Sequence, residues 1–297
     1  MPELALSGLD GSNPLGFLAA LGVLDAVSGD EHAALWWRYE AGWNPVLASS
    51  CQSVADLVAR LDQDRQSCIT DPALALAYDG KRDLKPPPAV FVGYLRNLVD
   101  ASTMMRRRSV DWAAAFATDV AVDNNGNTKP TALHFTAGQQ QFLQMVQELV
   151  KHVTAEDLTE AVFEPWRYSR PLPVMGWDAT SSRDYALRAT DPSTDKKLGV
   201  PGADWLAIRG LSFIPAVPRG TRVVTTCCSG GWKDGQFTWP LWTVGLTSPV
   251  IRSLLAQQVD QWSMPERRSR GIGVVLSSGI KRSEQGGYGS FEPSISA

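Results

Sequence analysis

The seventeen residues from Gly8 to Leu24, GLDGSNPLGFLAALGVL, constrain the fold more than any other stretch, because they place a strand end, a turn and a capped apolar helix in immediate succession. Leu4, Leu6 and Leu9 supply a short apolar strand, which Asp10, Gly11 and Ser12 interrupt. The Asn13 side chain can accept from the free N–H groups of a helix, and Pro14 suits the first helical position, where its missing donor would have no partner. A helix over 14–27 follows. Leu15, Leu18, Leu21, Gly22 and Asp25 share one face and Phe17, Ala20 and Leu24 the next, so the helix is apolar nearly all round and has to be buried. Gly16, Ala19, Ala20 and Gly22 leave little side chain between backbones and predict close packing against a sheet or another helix.

A glycine-containing turn that feeds a helix N-terminus also favours an anion, through free N–H groups and the helix dipole. Ser12 and Asn13 are therefore candidates for backbone-phosphate contact. Neither Gly-x-x-x-x-Gly-Lys-Ser/Thr nor Gly-x-Gly-x-x-Gly is present, however, and capping and packing account for the same residues.

At 297 residues and 44% hydrophobic content, the chain has material for one large domain or two closely packed ones. No apolar run reaches the roughly 18 residues that span a bilayer, and the N-terminus shows neither the basic region nor the cleavage site of a signal peptide. A cytoplasmic protein with no membrane contact is expected. Cys51, Cys68, Cys227 and Cys228 lack Cys-x-x-Cys spacing and read as reduced buried thiols, with no structural zinc. The formal net charge of −3 argues against a stand-alone nucleic-acid binder, but it conceals an asymmetry. Residues 1–80 hold 3 Lys or Arg against 11 Asp or Glu, and the remainder holds 25 against 20. A basic face on the later part suits a polyanion, while the acidic beginning suits another protein.

Periodicity and punctuation predict the remaining elements. Leu35 to Tyr39 form a strand, and Ser53 caps a helix carrying Val54, Leu57, Val58 and Leu61. Asp79-Gly80 is a turn, followed by a charged, proline-stiffened loop from Lys81 to Pro88. A helix with Val90, Phe91, Tyr94, Leu95 and Leu98 inward runs on to Thr103 and the Met104–Arg108 run, and helix resumes at Ser109. Asp123–Lys129 is an exposed turn, Gln139–Val153 a helix, and Thr154 with Asp157 a capping box. Arg222–Cys228 and Gln236–Val244 form paired strands, Ser248-Pro249 opens a helix reaching Trp262, and Gly271–Ser277 is a last strand before a mobile glycine-rich tail. The expected fold class is α+β, mixed helices with short, mostly antiparallel strands. Residues 1–165 are the helix-rich part and residues 166–297 a Trp/Pro-rich, strand-containing part, packed as one unit.

Catalytic chemistry is poorly supplied. His32, His134 and His152 are the only histidines, and there is no His-Asp pair in sequence, no His-x-x-x-His and no Gly-x-Ser-x-Gly. No catalytic residue, metal or cofactor is expected; carboxylates converging from distant positions are the remaining enzymatic reading, a cryptic metal-dependent nuclease. Three basic groupings carry more information. Arg106, Arg107 and Arg108 adjoin Lys81, Arg82 and Lys85; Arg183, Arg188, Lys196 and Lys197 form a second grouping; Arg267, Arg268, Arg270, Lys281 and Arg282 form a third beside the Gly286–Gly289 run. Guanidinium groups pair bidentately with phosphates, and glycine admits a close phosphodiester, so all three groupings are candidate DNA-binding residues. Solvated helix ends and a charged tail explain the same residues. Most of the 11 tryptophans belong in the core, with base stacking open to one or two.

Four segments together, GLDGSNPLGFLAALGVL, WDATSSRDYALRATDPS with GADWLAIRGLSFIP, FTWPLWTVGLTSPVIRSLL and GGYGSFEP, resemble the divergent large-subunit-type proteins of type I-G (formerly I-U) CRISPR systems over most of the chain. The resemblance implies a non-enzymatic member of a crRNA-guided Cascade complex that contributes to target DNA binding and protospacer-adjacent motif recognition. Its implied partners are other Cascade subunits, crRNA, target double-stranded DNA and a recruited helicase-nuclease. Accessory proteins linked to that helicase-nuclease share this type of N-terminus, so an adaptor or assembly role is the alternative.

Overall fold

Asn13 starts the first helix as its position demands: its side chain accepts from the Leu15 N–H at 3.2 Å, and Pro14 occupies the first helical position. The computed structural model describes residues 1–30, 32–103, 107–181, 198–283 and 288–297. In chain order they form β1 (Glu3–Ala5), α1 (Pro14–Ala26), β2 (Ala34–Tyr39), β3 (Trp43–Ala48), α2 (Val54–Cys68), α3 (Pro88–Asp100), α4 (Arg108–Phe116), β4 (Ala117–Val122) and β5 (Thr128–Pro130). There follow α5 (Phe142–His152), α6 (Ala155–Phe163), α7 (Pro201–Gly210), β6 (Ala216–Arg219), β7 (Arg222–Thr225), β8 (Cys228–Ser229), β9 (Gly235–Trp242) and β10 (Leu246–Thr247). The last elements are α8 (Ser248–Leu255), α9 (Met264–Ser269), β11 (Ile272–Arg282), β12 (Gly289–Phe291) and β13 (Ile295–Ser296).

The fold is α+β with antiparallel sheets. One has the order β1-β3-β2-β10, the other β12-β11-β9-β8 with β13 also on β11, and β4-β5 and β6-β7 are separate hairpins. Every residue of α1 is buried. Phe17 packs between Trp37 of the first sheet, 5.9 Å between ring centroids, and Phe237, Trp239 and Trp242 of the second, at 6.2, 5.8 and 6.4 Å. The aromatic core therefore joins residues from both sides of position 165. Most of the buried indoles satisfy their N–H: Trp239 donates to the Gly11 carbonyl at 2.9 Å, Trp112 to Ile208 at 3.1 Å and Trp177 to Leu133 at 3.0 Å.

α1 crosses α7 at backbone contact. A β-carbon on Gly22 would lie 1.7 Å from the Leu206 carbonyl oxygen, and one on Gly210 would lie 2.1 Å from that of Leu18. The two glycines thus create one shared crossing, and the other end of α7 uses Gly202 in the same way against Asp157 of α6. The crossing is pinned by charge as well. Arg209, buried on α7, lies 2.7 Å from Asp25 on α1 and 2.7 Å from Asp64 on α2; the contact to Asp25 is an ion pair whose angle departs from that of a hydrogen bond. The two carboxylates raise the Arg209 pKa against the opposing effect of burial, so this arginine stays charged.

Several expected boundaries move. The first strand covers only Glu3–Ala5, with Leu6 and Leu9 buried in the turn after it. α3 ends at Asp100, where the Ser102 N–H and hydroxyl both bond the Val99 carbonyl and compete with another helical turn. α8 stops at Leu255, well before Trp262. β7 folds back on β6 through the two-residue turn Gly220-Thr221, so only Cys228 and Ser229 pair with β9. The longer partner of β9 is β11, which extends to Arg282. Tyr288 and Gly289 are not a loose tail: the Ser283 N–H donates to the Tyr288 carbonyl at 2.9 Å, and Gly289 opens β12 opposite Arg282. Gly286 and Gly287 lie outside the described residues.

Adding one methyl at the crossing should be costly, because the obstruction is backbone. We expect Gly22→Ala to lower stability by about 1–3 kcal/mol or more. Gly93→Ala, in α3 with no heavy atom within 4 Å of the added carbon, should raise it by about 0.5–1 kcal/mol. Equilibrium denaturation of both variants checks the opposite signs.

Candidate nucleic-acid interface

The structure divides the basic residues into those whose charge is met inside the protein and those left facing solvent. Arg108 belongs to the first class. Its Nε donates to Asp71 at 2.8 Å, its Nη atoms donate to the hydroxyl and carbonyl of Ser67 at 3.0 and 3.1 Å, and Asp64 lies 3.7 Å away. This arginine ties the start of α4 to α2, and two carboxylates already neutralise it. Arg107 is 61% exposed and pairs with Asp111 one turn on, at 3.2 Å, a surface contact worth about 0.3–0.5 kcal/mol. Arg106, like Arg183, Arg188, Lys196 and Lys197, lies outside the described residues.

In the third grouping, Arg267 donates to three carbonyls, those of Trp262, Ala297 and Asp260, at 3.0, 2.8 and 2.7 Å, and so fastens the end of the chain to α9. Arg268 is exposed, Arg270 lies 4.1 Å above the Trp262 ring, and Lys281 sits 3.0 Å from Glu292. At the N-terminus of α1, Asn13 donates to Asp178 at 2.8 Å and accepts from Leu15 and Ala179. Both ends of that amide are engaged under a buried helix start, and the Ser12 hydroxyl donates to Asp10 at 2.6 Å. Capping and packing thus engage the Ser12 and Asn13 side chains at the start of α1.

Arg282 stands between two aromatic rings. Its Nη1 and Nη2 donate to the carbonyls of His134 and Ala132 at 2.8 and 2.7 Å, which leaves the cation without a carboxylate partner among the described residues. The guanidinium lies 4.8 Å from the Phe135 ring and 4.8 Å from the Trp232 ring, a three-layer stack whose outer member, Trp232, is 62% exposed. Burial pulls the Arg282 pKa down to about 10, so it remains a cation at neutral pH. The stack is built by two strand ends. Arg282 is the last residue of β11, and Trp232 sits in the β8–β9 loop, which the Gly231 N–H closes by donating to Asp234 at 2.8 Å. Lys233 and Lys281 are exposed on the same two strand ends.

The segment under this stack carries a pair that has no trace in local sequence. His134 Nε2 is 2.9 Å from Asp83 Oδ1, and Asp83 also accepts from the Phe142 N–H at 3.1 Å. Thr136 Oγ1 approaches the same Nε2, at 2.9 Å. A nucleophile–base–acid relay needs both ring nitrogens, one facing each partner; here both neighbours meet one nitrogen of a buried ring stacked on Phe142, and the arrangement fixes the 132–136 strap that holds Arg282. Beside it opens a cleft of about 680 Å³, lined in part by Lys81, Lys85, Asp79, Asp123, Asn125 and Gln140. Lysines and carboxylates are mixed there, and among the described residues no group of three His, Cys, Asp or Glu is disposed to hold a metal ion. Burial also pushes the thiols of Cys68 and Cys227 up to about 12, well away from reactive thiolates.

The ionisation of His134 has a defined sign. Burial lowers its pKa below 6.5 despite the nearby Asp83, so the unfolded chain takes up a proton below about pH 6.5 that the folded chain refuses. The stability advantage of wild type over His134→Gln should therefore be full above pH 6.5 and shrink below it, by up to about 1.4 kcal/mol per pH unit. Paired chemical denaturation of the two proteins from pH 7.5 to 5 measures it. No protein-family model matches this chain, and no curated protein sequence matches it.

Proposed function

We propose that this protein is a non-catalytic, nucleic-acid-contacting subunit of a cytoplasmic, crRNA-guided CRISPR effector complex, placed beside other Cascade subunits and crRNA on target double-stranded DNA. In this reading it contributes to protospacer-adjacent motif recognition and to holding the opened target, and the complex then recruits the helicase-nuclease. The resemblance in sequence supports the assembly. The single observation that supports nucleic-acid contact is Trp232, an exposed indole lying on Arg282, whose charge no described carboxylate neutralises. An aromatic face beside a cation suits an unpaired base and its phosphate, a combination tolerant of sequence. No helix among the described residues is long and apolar enough to cross a membrane.

The test is reconstitution with the backbone subunits and crRNA, followed by binding to target DNA. Trp232→Ala should leave co-purification and, to within about 0.5 kcal/mol, stability unchanged. It should weaken target binding by about 1–3 kcal/mol, the usual cost of losing one stacked base. Unchanged DNA affinity with intact assembly would favour the adaptor role, and failure to co-purify would remove the CRISPR reading.

A further inference from the structure

The β6–β7 hairpin carries an arrangement that no contact among the described residues explains. Arg219 and Arg222 are direct cross-strand partners flanking the turn at Gly220-Thr221, where Gly220 has φ 61°. Side chains so placed stand about 4.5–5.5 Å apart at their β-carbons, and like charges there repel. Both arginines are exposed, and neither side chain has an ion pair or hydrogen bond among the described residues. On the same outward face the next cross-strand pair is Val217 and Val224, 53% and 37% exposed, while Ala216 and Thr225 on the other face are buried. The ribbon is thus apolar toward its root and doubly cationic at its tip.

Its root is firmly held. The Thr225 hydroxyl lies 3.2 Å from that of Thr131 and accepts from the Ala132 N–H at 2.8 Å, and Ala132 is one of the two residues whose carbonyls hold Arg282. The hairpin therefore projects from the strap that supports the Trp232–Arg282 stack, and the chain between β7 and Trp232 is short. We infer that this hairpin is a duplex-DNA contact, in which Arg219 and Arg222 straddle a backbone phosphate and the ribbon lies against the major groove. An anion between the two guanidiniums converts their repulsion into a charge-assisted clamp. A two-stranded ribbon fits the major groove of B-DNA, about 12 Å wide, whereas the corresponding groove of duplex RNA is too narrow and deep. Exposed valines suit thymine methyl groups. The inference rests on the nucleic-acid reading above for the polyanion, but uses different residues.

The experiment compares the assembled complex carrying wild-type chain, Arg219→Ala/Arg222→Ala, or Arg219→Lys/Arg222→Lys. Binding to target duplex and to a single-stranded RNA of equal length is measured across salt concentrations. The alanine pair should keep its melting temperature or raise it, since a repulsion is relieved. It should bind duplex more weakly, with the slope of log affinity against log salt shallower by about 0.9, the value for the one phosphate that the pair straddles. The lysine pair should restore the slope. An unchanged duplex slope, in a complex where Trp232→Ala still weakens binding, would overturn the hairpin contact alone. Equal losses on duplex and single-stranded RNA would overturn its assignment to duplex. Absence of nucleic-acid binding by the wild-type complex would overturn both readings.

Discussion

The backbone contact between α1 and α7 at Gly22 and Gly210 is the constraint on which the other layers depend. A helix buried on all sides needs partners on all sides, and α1 obtains them from α7, from Trp37 of one sheet and from Phe237, Trp239 and Trp242 of the other. Only glycine at both crossing points lets the axes approach closely enough for the aromatic rings to meet above them. Ion pairing then fixes the rotation about that crossing, since Arg209 on α7 reaches Asp25 on α1 and Asp64 on α2 together. A buried arginine with two carboxylates is strongly destabilising to break, which makes the crossing specific as well as tight.

Charge is distributed by the same logic. Arginines near carboxylates, such as Arg108 with Asp71 and Asp64, or near carbonyls, such as Arg267, act as fasteners between elements. The acidic balance of the first 80 residues is in part the counter-charge for these fasteners, because Asp25, Asp64 and Asp71 all lie within it. At the ends of β8, β9 and β11, Arg282, with no carboxylate partner among the described residues, lies against the exposed ring of Trp232. A cation set against an exposed aromatic face, rather than the number of basic residues in any run, distinguishes a surface suited to a polyanion from a solvated helix end.

Local chemistry in this chain is legible to the residue. The Asn13 cap, the Ser53 cap and the Thr154–Asp157 capping box all stand where side-chain spacing places them, because each is decided within four residues. Pairings over long separations are not legible. Asp83 and His134 are 51 residues apart, and their contact depends on how the Lys81–Pro88 loop meets the start of α5. Arg282 and Trp232 stand out singly in the sequence, yet their stacking follows only once β9 is paired with β11, a partnership that periodicity cannot choose over the nearer β7. The Arg-Gly-Thr-Arg turn between valine-bearing strands does carry a hairpin signal in sequence, weaker than the triple-arginine run that overshadowed it.

The central claim is that nucleic acid meets this protein on the face carried by the β8–β9 loop and the end of β11. Photocrosslinking tests it most directly: target DNA substituted with 5-iodouracil is irradiated in the assembled complex and the crosslinked peptides are mapped by mass spectrometry. The account predicts crosslinks to the peptide containing Trp232 that require the guide RNA. Crosslinks confined to peptides elsewhere on the chain, such as that of Arg107 and Arg108, would contradict it.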